Sequence, residues 1–476
     1  MVVQHNMQAA NANRMLNVTT SAQSKSTEKL SSGYRINRAA DDAAGLTISE
    51  KMRKQIKGLD RASTNAEDGV SAVQTAEGAL TEVHSMLQRM NELATQSANG
   101  TNSNTDRKAI QDEIDQLTTE IDRVSETTKF NETYLLKGDG AEKEHNVNAH
   151  DAGLDGVTLT DKGDKVEVTL KELKAGDKIS IAGKNYTIGG TSDDVDTLLK
   201  AANITGADGD KVTINGTEYT YYENAVGGDA LTNKGFYATQ PKAADKASAK
   251  PDYADLDAIK KAKNSTITAG GKSVTTMGNV IDGVDDKDSS VITAKKAYML
   301  ETAEILKASG IGADKAPTAT GNDALDAATN KFSLTKGKVN YNDALSFNLH
   351  VGADADMTNK ITVNIDSMNS AGLGVKGIKA DTEQDATYAI DAIADAISTV
   401  SSQRSALGAV QNRLEHTINN LDNVVENTTS AESRIRDTDM AEEMVNYSKN
   451  NILAQAGQSM LAQANQSNQG VLSLLQ

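Results

Sequence analysis

Two histidines, His145 and His150, have the spacing that comes nearest to a metal-binding chemistry. Neutral imidazoles are common zinc ligands, and a hydrolytic zinc helix places two of them four residues apart with a glutamate after the first. Here the two histidines are five residues apart, no glutamate follows either of them, and the other four are scattered along the chain. We therefore interpret both as solvated loop residues and predict neither a metal nor a cofactor.

Calcium binding is only weakly indicated by Asp354 and Asp356 in the segment VGADADMTNK. A calcium loop of the EF-hand type needs a glycine at its sixth position and a glutamate at its twelfth, and both are missing. We predict a hairpin turn there instead. The sequence contains no phosphate-binding loop, no G-x-S-x-G motif and no cysteine that could act as a nucleophile. The chain is therefore predicted not to be an enzyme.

The composition narrows the class of protein further. The chain has 476 residues, with no Cys, no Trp, 4 Phe and 3 Pro, which suits long helices better than one large aromatic-rich core. Its formal net charge of -17 argues against nucleic acid, because phosphate binding needs a basic surface. Its C-terminal apolar runs are too short and interrupted to span a membrane.

Apolar residues at intervals of three and four predict long helices on both sides of the middle of the chain. One stripe runs from Leu59 to Ala94 and a second from Ile110 to Val124, while all three prolines lie in the middle. A heptad then recurs near the C-terminus at Ile393, Val400, Leu407, Leu414 and Leu421, with Val410 and Val424 at a second position. Because such repeats make helices supercoil around partners, we expect an antiparallel bundle that joins both flanks.

The two ends of the chain are unusual because they are helical in pattern but nearly uncharged. Residues 1–27 contain no acidic side chain, and residues 450–476 contain no charged side chain at all. The C-terminal apolar stripe consists of Leu453, Ala456, Met460, Ala464, Val471 and Leu474. The N-terminal stripe consists of Val3, Met7, Ala10, Met15, Val18 and Ala22. A soluble helix normally carries charge on its outer face. We therefore expect the two ends to pair and to meet other copies of the chain.

The middle of the chain, roughly residues 141–371, has short alternating apolar runs that predict β-strands. Such runs occur at Val157–Leu159, Val166–Leu170, Ile179–Ile181, Val212–Ile214 and Ile361–Ile365. The pair Asn215-Gly216 predicts a tight hairpin turn, and helices are expected at Ser290–Ser309 and Asp323–Lys331. The predicted fold is therefore mainly α: an antiparallel coiled-coil bundle of N- and C-terminal helices, with a β-rich, α+β insertion in the middle.

Several long motifs at both ends resemble bacterial flagellins. The segment LSSGYRINRAADDAAGLTISEKM (Leu30–Met52) reads as a helix stop at Gly33 followed by a new helix capped by Asp41 or Asp42. It is similar to the N-terminal flagellin signature, apart from Tyr34 at a position that is more commonly Leu. Gln88–Ser103, Glu113–Asn131 and Val400–Gln476 resemble the same family. The resemblance covers about residues 1–140 and 345–476.

This resemblance implies a structural subunit that polymerises into the flagellar filament outside the cell after type III export. It implies a terminal polymerisation domain (1–45 and 434–476) that is disordered in the monomer. It also implies a bundle core with a β-hairpin (46–140 and 348–433) and a variable exposed insertion (141–347). Leu453, Ala456, Met460, Val471 and Leu474 would serve polymerisation. Other copies, an export chaperone and junction or cap proteins would be partners, without nucleic acid or membrane insertion.

The resemblance also implies recognition by the host innate immune sensor Toll-like receptor 5. By motif position, Arg89, Leu93, Gln96 and Glu113 would contact that receptor. Two other functions stay open. Some flagellins carry a metalloprotease in the middle, against which the missing H-E-x-x-H motif speaks. The other alternative is a hook-filament junction protein or a coiled-coil adhesin.

Overall fold

The computed structural model describes residues 6–320 and 330–474, with the backbone but not the side chains of residues 468–474. Its α-helices are α1 (Met7–Ser32), α2 (Ala43–Ser97), α3 (Asn104–Thr127), α4 (Ser192–Ala201), α5 (Leu256–Lys260), α6 (Ala294–Ala308), α7 (Glu383–Arg436) and α8 (Met440–Leu474). Short 3₁₀ helices span Ala243–Asp245 and Met357–Asn359.

The β-strands are mostly short and lie between α3 and α7. They are β1 (Lys129–Phe130), β2 (Thr133–Tyr134), β3 (Asp139–Asn146), β4 (Thr158–Asp161), β5 (Lys165–Thr169), β6 (Lys178–Ile181), β7 (Lys184–Gly190), β8 (Lys211–Ile214), β9 (Thr217–Asn224), β10 (Ala230–Tyr237), β11 (Thr266–Ala269), β12 (Lys272–Thr276), β13 (Val280–Ile281), β14 (Val284–Asp285), β15 (Val291–Ile292), β16 (Thr318–Thr320), β17 (Lys331–Thr335), β18 (Lys338–Asp343), β19 (Leu345–His350) and β20 (Lys360–Ile365).

The predicted mainly α architecture with a β-rich middle is confirmed. The predicted stripe of α2 is buried from Leu59 to Ala94, except that Val70 is half-buried. The heptad residues Ile393, Val400, Leu407, Leu414 and Leu421 are likewise buried on α7. The prediction for Val424 was wrong, because its side chain is exposed and Val425 packs against the core instead.

The chain divides into two compact units, and the first comprises Met1–Gln74, Phe347–Val363 and Leu407–Gln476. In this unit α2 and α7 run antiparallel, since Ser49 bonds to Glu432 and Ser63 to Asp422. The strands β19 and β20 lay Leu349 and Ile361 over Ala66 and Leu414, among other residues. The loop between them contains Asp354 and Asp356, which confirms the predicted hairpin turn.

The predicted pairing of the two ends is also confirmed in this unit. The Asn6 Nδ2 atom donates a hydrogen bond to the Ala464 carbonyl, and Lys29 Nζ lies 3.7 Å from Glu443 Oε2 at the other end of the pair. Because residues from the start of α1 meet residues late in α8, the two helices are antiparallel. Gly457 is close to Leu16 midway along the contact.

The turn from α1 to α2 follows the predicted stop and cap. Gly33 has a left-handed φ of 76°, and its N–H donates to Lys29 O. Asp42 is the cap of α2, since Asp42 Oδ1 accepts from the Gly45 N–H at 2.8 Å. Asp41 instead accepts from the backbone of Asn37 and Arg38. Tyr34 packs its ring 4.7 Å from the Arg436 guanidinium, where the aromatic face attracts the cation.

The second unit comprises Thr75–Ser346 and Asn364–Ala406. Its helical part includes α3, which begins with a capping box between Ser103 and Asp106. Arg107 is buried and donates hydrogen bonds to the carbonyl groups of Ser97, Asn99 and Asn102. These bonds satisfy carbonyl groups at the end of α2 and fix the turn between the two helices.

The β-rich part of the second unit has two hydrophobic cores. The first insertion core packs α6 against β5, β6, β7 and β17, with Tyr298 and Ile305 from the helix meeting Val168 and Ile188. The second insertion core packs α4 against β8, β11 and β12. One sheet runs through both in the order β10-β9-β8-β11-β12-β7-β15-β14-β13, with β7 parallel to β12 and β15.

Two hairpins of this sheet share a sequence repeat that was not predicted. GDKISIAGKNYT at residues 176–187 and GDKVTINGTEYT at residues 209–220 are identical at seven of twelve positions. Gly176 and Gly209 both have a φ of 91°. The turn Asn215-Gly216 joins β8 to β9 with positive φ at both residues, as predicted. The helix predicted at Ser290–Ser309 is present as α6, whereas that at Asp323–Lys331 lies largely outside the described residues.

Candidate assembly and recognition surfaces

The predicted polymerisation residues of α8 lie on the outward side of the α1–α8 pair. Leu453 is 49% and Met460 61% exposed, and Ala456 is also exposed. The half-buried side chains Ala454, Leu461 and Ala464 occupy the other side, where Gly457 lies close to Leu16. The side chains of Val471 and Leu474 lie outside the described residues.

The helix α1 shows the same division between its two sides. Met7, Met15 and Val18 are more than half exposed, and half-buried side chains such as Ala9, Ala12 and Leu16 occupy its other side. Most of the stripe recognised in the sequence is therefore not on the side that meets α8, although its last member, Ala22, is half-buried. The small side chains that do meet α8, mostly Ala, are a weaker hydrophobic signal than Met or Val.

The candidate receptor surface is built where α2 and α3 run beside each other. Arg89 Nε donates to Glu113 Oε1 at 2.9 Å, and Arg89 NH1 donates to Glu92 Oε2 at 3.2 Å. The hydrogen bond that Arg89 donates to Glu113 is the main cause that raises the pKa of Arg89 above its ordinary value. Arg89 and Glu113 are about half exposed, and Gln96 is exposed on the same helix as Arg89. The structure thus brings Arg89 and Glu113 together.

Leu93 does not share this exposed surface. Its side chain is 2% exposed and belongs to the buried stripe of α2 that includes Met90 and Ala94. The resemblance implies receptor contact by both Arg89 and Leu93, but Leu93 does not lie on the exposed face of α2 that carries Arg89. A residue four positions along a helix is rotated by about 40°, which here is enough to turn an exposed position into a buried one.

The interpretation of the two histidines as solvated loop residues was also wrong. His150 is 7% exposed, and its Nδ1 atom lies 2.9 Å from Asp391 Oδ2 on α7. His145 lies in β3, and its ring stacks on Tyr341 with centroids 4.0 Å apart. Each histidine therefore packs against protein. In the described part of the chain, no three His, Asp or Glu side chains are grouped so that they could hold a metal ion.

Among the described residues, no helix is both long enough and apolar enough to cross a membrane. Two acidic residues in the insertion were not recognised from the sequence as special. Asp285 is 6% exposed and accepts from the N–H groups of Gly278, Lys287 and Asp288. Glu301 is also 6% exposed, and its Oε2 atom is buried without a hydrogen bond.

The two flanks match known family descriptions. Residues 3–141 match the bacterial flagellin N-terminal helical region, and residues 390–475 match the bacterial flagellin C-terminal helical region. The chain is 41% identical over 474 residues to a flagellin of Clostridium tyrobutyricum, covering 98% of this chain and 100% of that protein. The chain belongs to the bacterial flagellin family. It is a structural subunit of the flagellar filament, and this family consists of structural proteins.

Further relatives extend over nearly the whole flagellin chain. Flagellin C of Vibrio cholerae serotype O1 is 35% identical over 473 residues, covering 99% of both chains. The structure of FliC from Burkholderia pseudomallei covers 72% of this chain and 99% of that one, at 19% identity and a TM-score of 0.26. The assignment rests on the sequence relatives and not on that structural likeness.

Proposed function

We propose that this flagellin polymerises through the outward apolar faces of α1 and α8. One observation carries the proposal: Leu453, Ala456 and Met460 are exposed in the single chain, and no charged side chain follows Lys449. Exposed apolar side chains in a row indicate a surface that other protein covers. Val471 and Leu474 continue the same stripe in the sequence and complete the proposed surface.

The terminal segments, residues 1–45 and 434–476, would then order fully only in the filament. Residues 46–140 and 348–433 form the bundle core of this proposal, and residues 141–347 face outward as the variable insertion. The subunit is exported to the cell exterior. Its partners are other copies of itself in an open helical polymer, an export chaperone, and junction or cap proteins.

Seeded polymerisation of the purified chain tests this proposal. We expect the wild type to extend filament fragments into long filaments visible by electron microscopy, whereas Leu453→Asp and Met460→Asp variants stay monomeric. Lys287→Asp, at an exposed position of the insertion, is the matched control and should polymerise normally. Normal filaments from both α8 variants would contradict the proposal. A wild type that never extends seeds would favour the alternative of a hook-filament junction protein or an adhesin.

We further propose that Toll-like receptor 5 of a host recognises the surface around Arg89. The proposal is supported by the motif at Gln88–Ser103 and by the ion pair that holds Arg89 in place beside Glu113. An arginine fixed by hydrogen bonds on a rigid helix has little conformational freedom to lose on binding. Gln96 and Glu113 supply further exposed polar groups. Leu93 supports this surface indirectly, because its buried side chain packs α2 against the core.

A further inference from the structure

A groove of about 990 Å³ lies between the two insertion cores within the second unit. It is lined by the loop that precedes β6, the end of β7, one side of α4, and the starts of β12 and α6. Its size is that of a site for a small organic molecule. None of the residues proposed for polymerisation or receptor recognition lines this groove.

The apolar part of the groove lining comes from both cores. Ile188 belongs to the first insertion core, Leu198 and Val274 belong to the second, and Met277 and Val280 lie in the segment that follows β12. Val280 is 45% exposed although it is a large apolar side chain. An apolar molecule in the groove would remove this surface from water, which is favourable in proportion to the area covered.

Close backbone packing fixes the walls of the groove. A Cβ atom on Gly176 would lie 2.0 Å from Ser273 O, and one on Gly190 would lie 2.4 Å from Val274 Cγ1. Such distances leave room only for glycine, so the loop before β6 packs directly on Ser273 and the end of β7 packs directly on Val274 of β12. The groove is therefore formed in advance of any ligand.

Three lysines give the groove a positive charge. Lys174 lies in the loop before β6, Lys272 in β12 and Lys295 in α6. All three side chains are exposed, and none takes part in a salt bridge within the described residues. Some lysines elsewhere in the insertion are paired, as Lys171 is with Asp155. The three unpaired lysines therefore place positive charge beside an apolar surface in a chain of net charge -17.

Two aspartates also line the groove, but their carboxylates are already hydrogen-bonded. Asp177 Oδ2 accepts from the Lys174 N–H at 2.8 Å, and Asp194 Oδ2 accepts from the N–H and the hydroxyl of Thr191. These bonds hold the loop before β6 and the first turn of α4. With three lysines against two aspartates, the lining keeps a net positive charge.

We propose that the groove binds an amphipathic anion, an apolar body that carries one carboxylate or sulfonate group. The apolar lining would take the body, and the unpaired lysines would take the anionic group as charge-assisted hydrogen-bond donors. The charge of the lining disfavours a cationic amphiphile, and the large apolar area disfavours a fully polar anion such as inorganic phosphate. The site lies in the insertion and is independent of polymerisation.

A pair of fluorescent probes with the same apolar body tests the proposal on the full-length monomer. The first is 8-anilinonaphthalene-1-sulfonate, and the second is N-phenyl-1-naphthylamine, which lacks the sulfonate. We expect the wild type to bind the sulfonate probe more tightly. The double variant Lys272→Glu with Lys295→Glu should weaken binding of the sulfonate probe by about tenfold or more and leave the neutral probe nearly unchanged. Val280→Asp should weaken binding of both probes.

Matched controls separate the groove from other apolar surfaces of the chain. Lys287→Glu reverses the charge of an exposed lysine outside the groove. Val226→Asp changes a valine outside the groove that is exposed to about the same extent as Val280. Both should bind each probe as the wild type does, and circular dichroism should show the same melting temperature for all variants. Unchanged sulfonate binding in the double lysine variant would overturn the proposal, because the probe would then occupy α1, α8 or another surface. An equal loss in the control variants would overturn it as well.

Discussion

The first unit contains two antiparallel helix pairs, and they differ in whether their large apolar side chains are buried between the helices or exposed. Where α2 and α7 pair, Leu59, Leu414 and Leu421 are buried. Where α1 and α8 pair, no apolar side chain among those described is buried, and the buried ones are Ser26 and Glu443. The same geometry therefore yields a hydrophobic core in one pair and an exposed apolar surface in the other.

This difference shows that helical spacing alone does not specify what a helix packs against. Burial of a Leu side chain contributes about 1.5–3 kcal/mol, so the α2–α7 pair can be stable within a single chain. The contact between α1 and α8 consists largely of small side chains such as Ala12, Gly457 and Ala464 and gains far less. The larger apolar side chains, such as Met15 and Met460, are left for contacts with other copies.

Limited proteolysis should show the largest difference between the two pairs. Opening of weakly held ends costs close to zero free energy, whereas opening of the core costs the full ~5–15 kcal/mol of a folded domain. We expect trypsin to cut the monomer rapidly at Arg14 and Lys25 and to leave a resistant core from about Leu46 to about Ser433. The same sites should be protected in filaments. Resistance of Arg14 and Lys25 in the monomer would show that α1 and α8 are stable without neighbours.

Truncation of a buried leucine in α7 should have the next largest effect. Leu414→Ala removes a fully buried side chain between Ala66 and Ile361 and should lower the free energy of unfolding by ~2–4 kcal/mol. Met460→Ala on α8 should change the monomer by less than about 0.5 kcal/mol, because its side chain is exposed. Urea unfolding of the two monomers measures both values, and equal losses would contradict the comparison.

Asp285 is not an inert surface residue and cannot serve as a control for the urea unfolding experiment, although its sequence surroundings suggest that it is exposed. The sequence shows Asp285 in a run of acidic residues, where solvation is the usual outcome. In the fold it accepts three backbone hydrogen bonds, so Asp285→Ala should cost about 1–3 kcal/mol. Lys287, two residues further on, is exposed and is the better control.

The sequence predicts the α-helices of both flanks well because apolar residues recur there at a constant spacing over tens of residues. The motif around Gly33 and Asp42 also predicts a stop and a cap that depend only on local backbone conformation. The burial of His150 against Asp391 was not predictable, since 241 residues separate these partners. For Leu93, the motif identifies the segment of α2, but it does not show which side of the helix the Leu93 side chain occupies. The side of α1 that meets α8 was missed because alanines carry it.

The pH dependence of stability should reveal the carboxyl group of Glu301, which is buried in the insertion with its Oε2 atom free of hydrogen bonds. Burial raises the pKa of Glu301 to about 7, and Lys171 opposes this shift. Between about pH 4.5 and 7 the unfolded chain loses this proton while the folded chain keeps it, so stability falls as pH rises. The loss should reach about 2–3 kcal/mol near pH 7 and should level off about one unit above that pH.

The neutral variant Glu301→Gln tests this explanation against other titrating groups. Glutamine does not titrate, so its contribution to the free energy of unfolding should not change between pH 4.5 and 7. The fall in stability with pH that the wild type shows should therefore largely disappear. Glu304→Gln is the comparison one helical turn away, where Tyr388 donates a hydrogen bond to the carboxylate. That variant should keep the slope caused by Glu301. If Glu301→Gln shows the wild-type slope, the pH dependence arises elsewhere.

Receptor binding should show the smallest of these effects. It should also distinguish the function of the helical bundle from that of the paired terminal helices. The outward surface of α2 near Arg89 is charged and paired, whereas that of α8 is apolar, so a variant of one surface should leave the function of the other intact. Arg89→Ala removes the side chain that Glu113 and Glu92 hold in place. It should weaken binding of the monomer to Toll-like receptor 5 by ~2 kcal/mol, the lower range for an interface hot spot. Lys108→Ala, an exposed cation on α3, is the control.

The same experiment with filaments tests whether polymerisation hides this surface. If neighbouring subunits cover Arg89, intact filaments should bind the receptor far less per subunit than monomers do, and the Arg89→Ala monomer should still polymerise or lose only part of its filament stability. The Met460→Asp variant should bind the receptor as the wild-type monomer does, because Met460 lies in the terminal pair and not on the bundle. Equal binding by filaments and monomers, or loss of receptor binding in Met460→Asp, would show that the two surfaces are not separate.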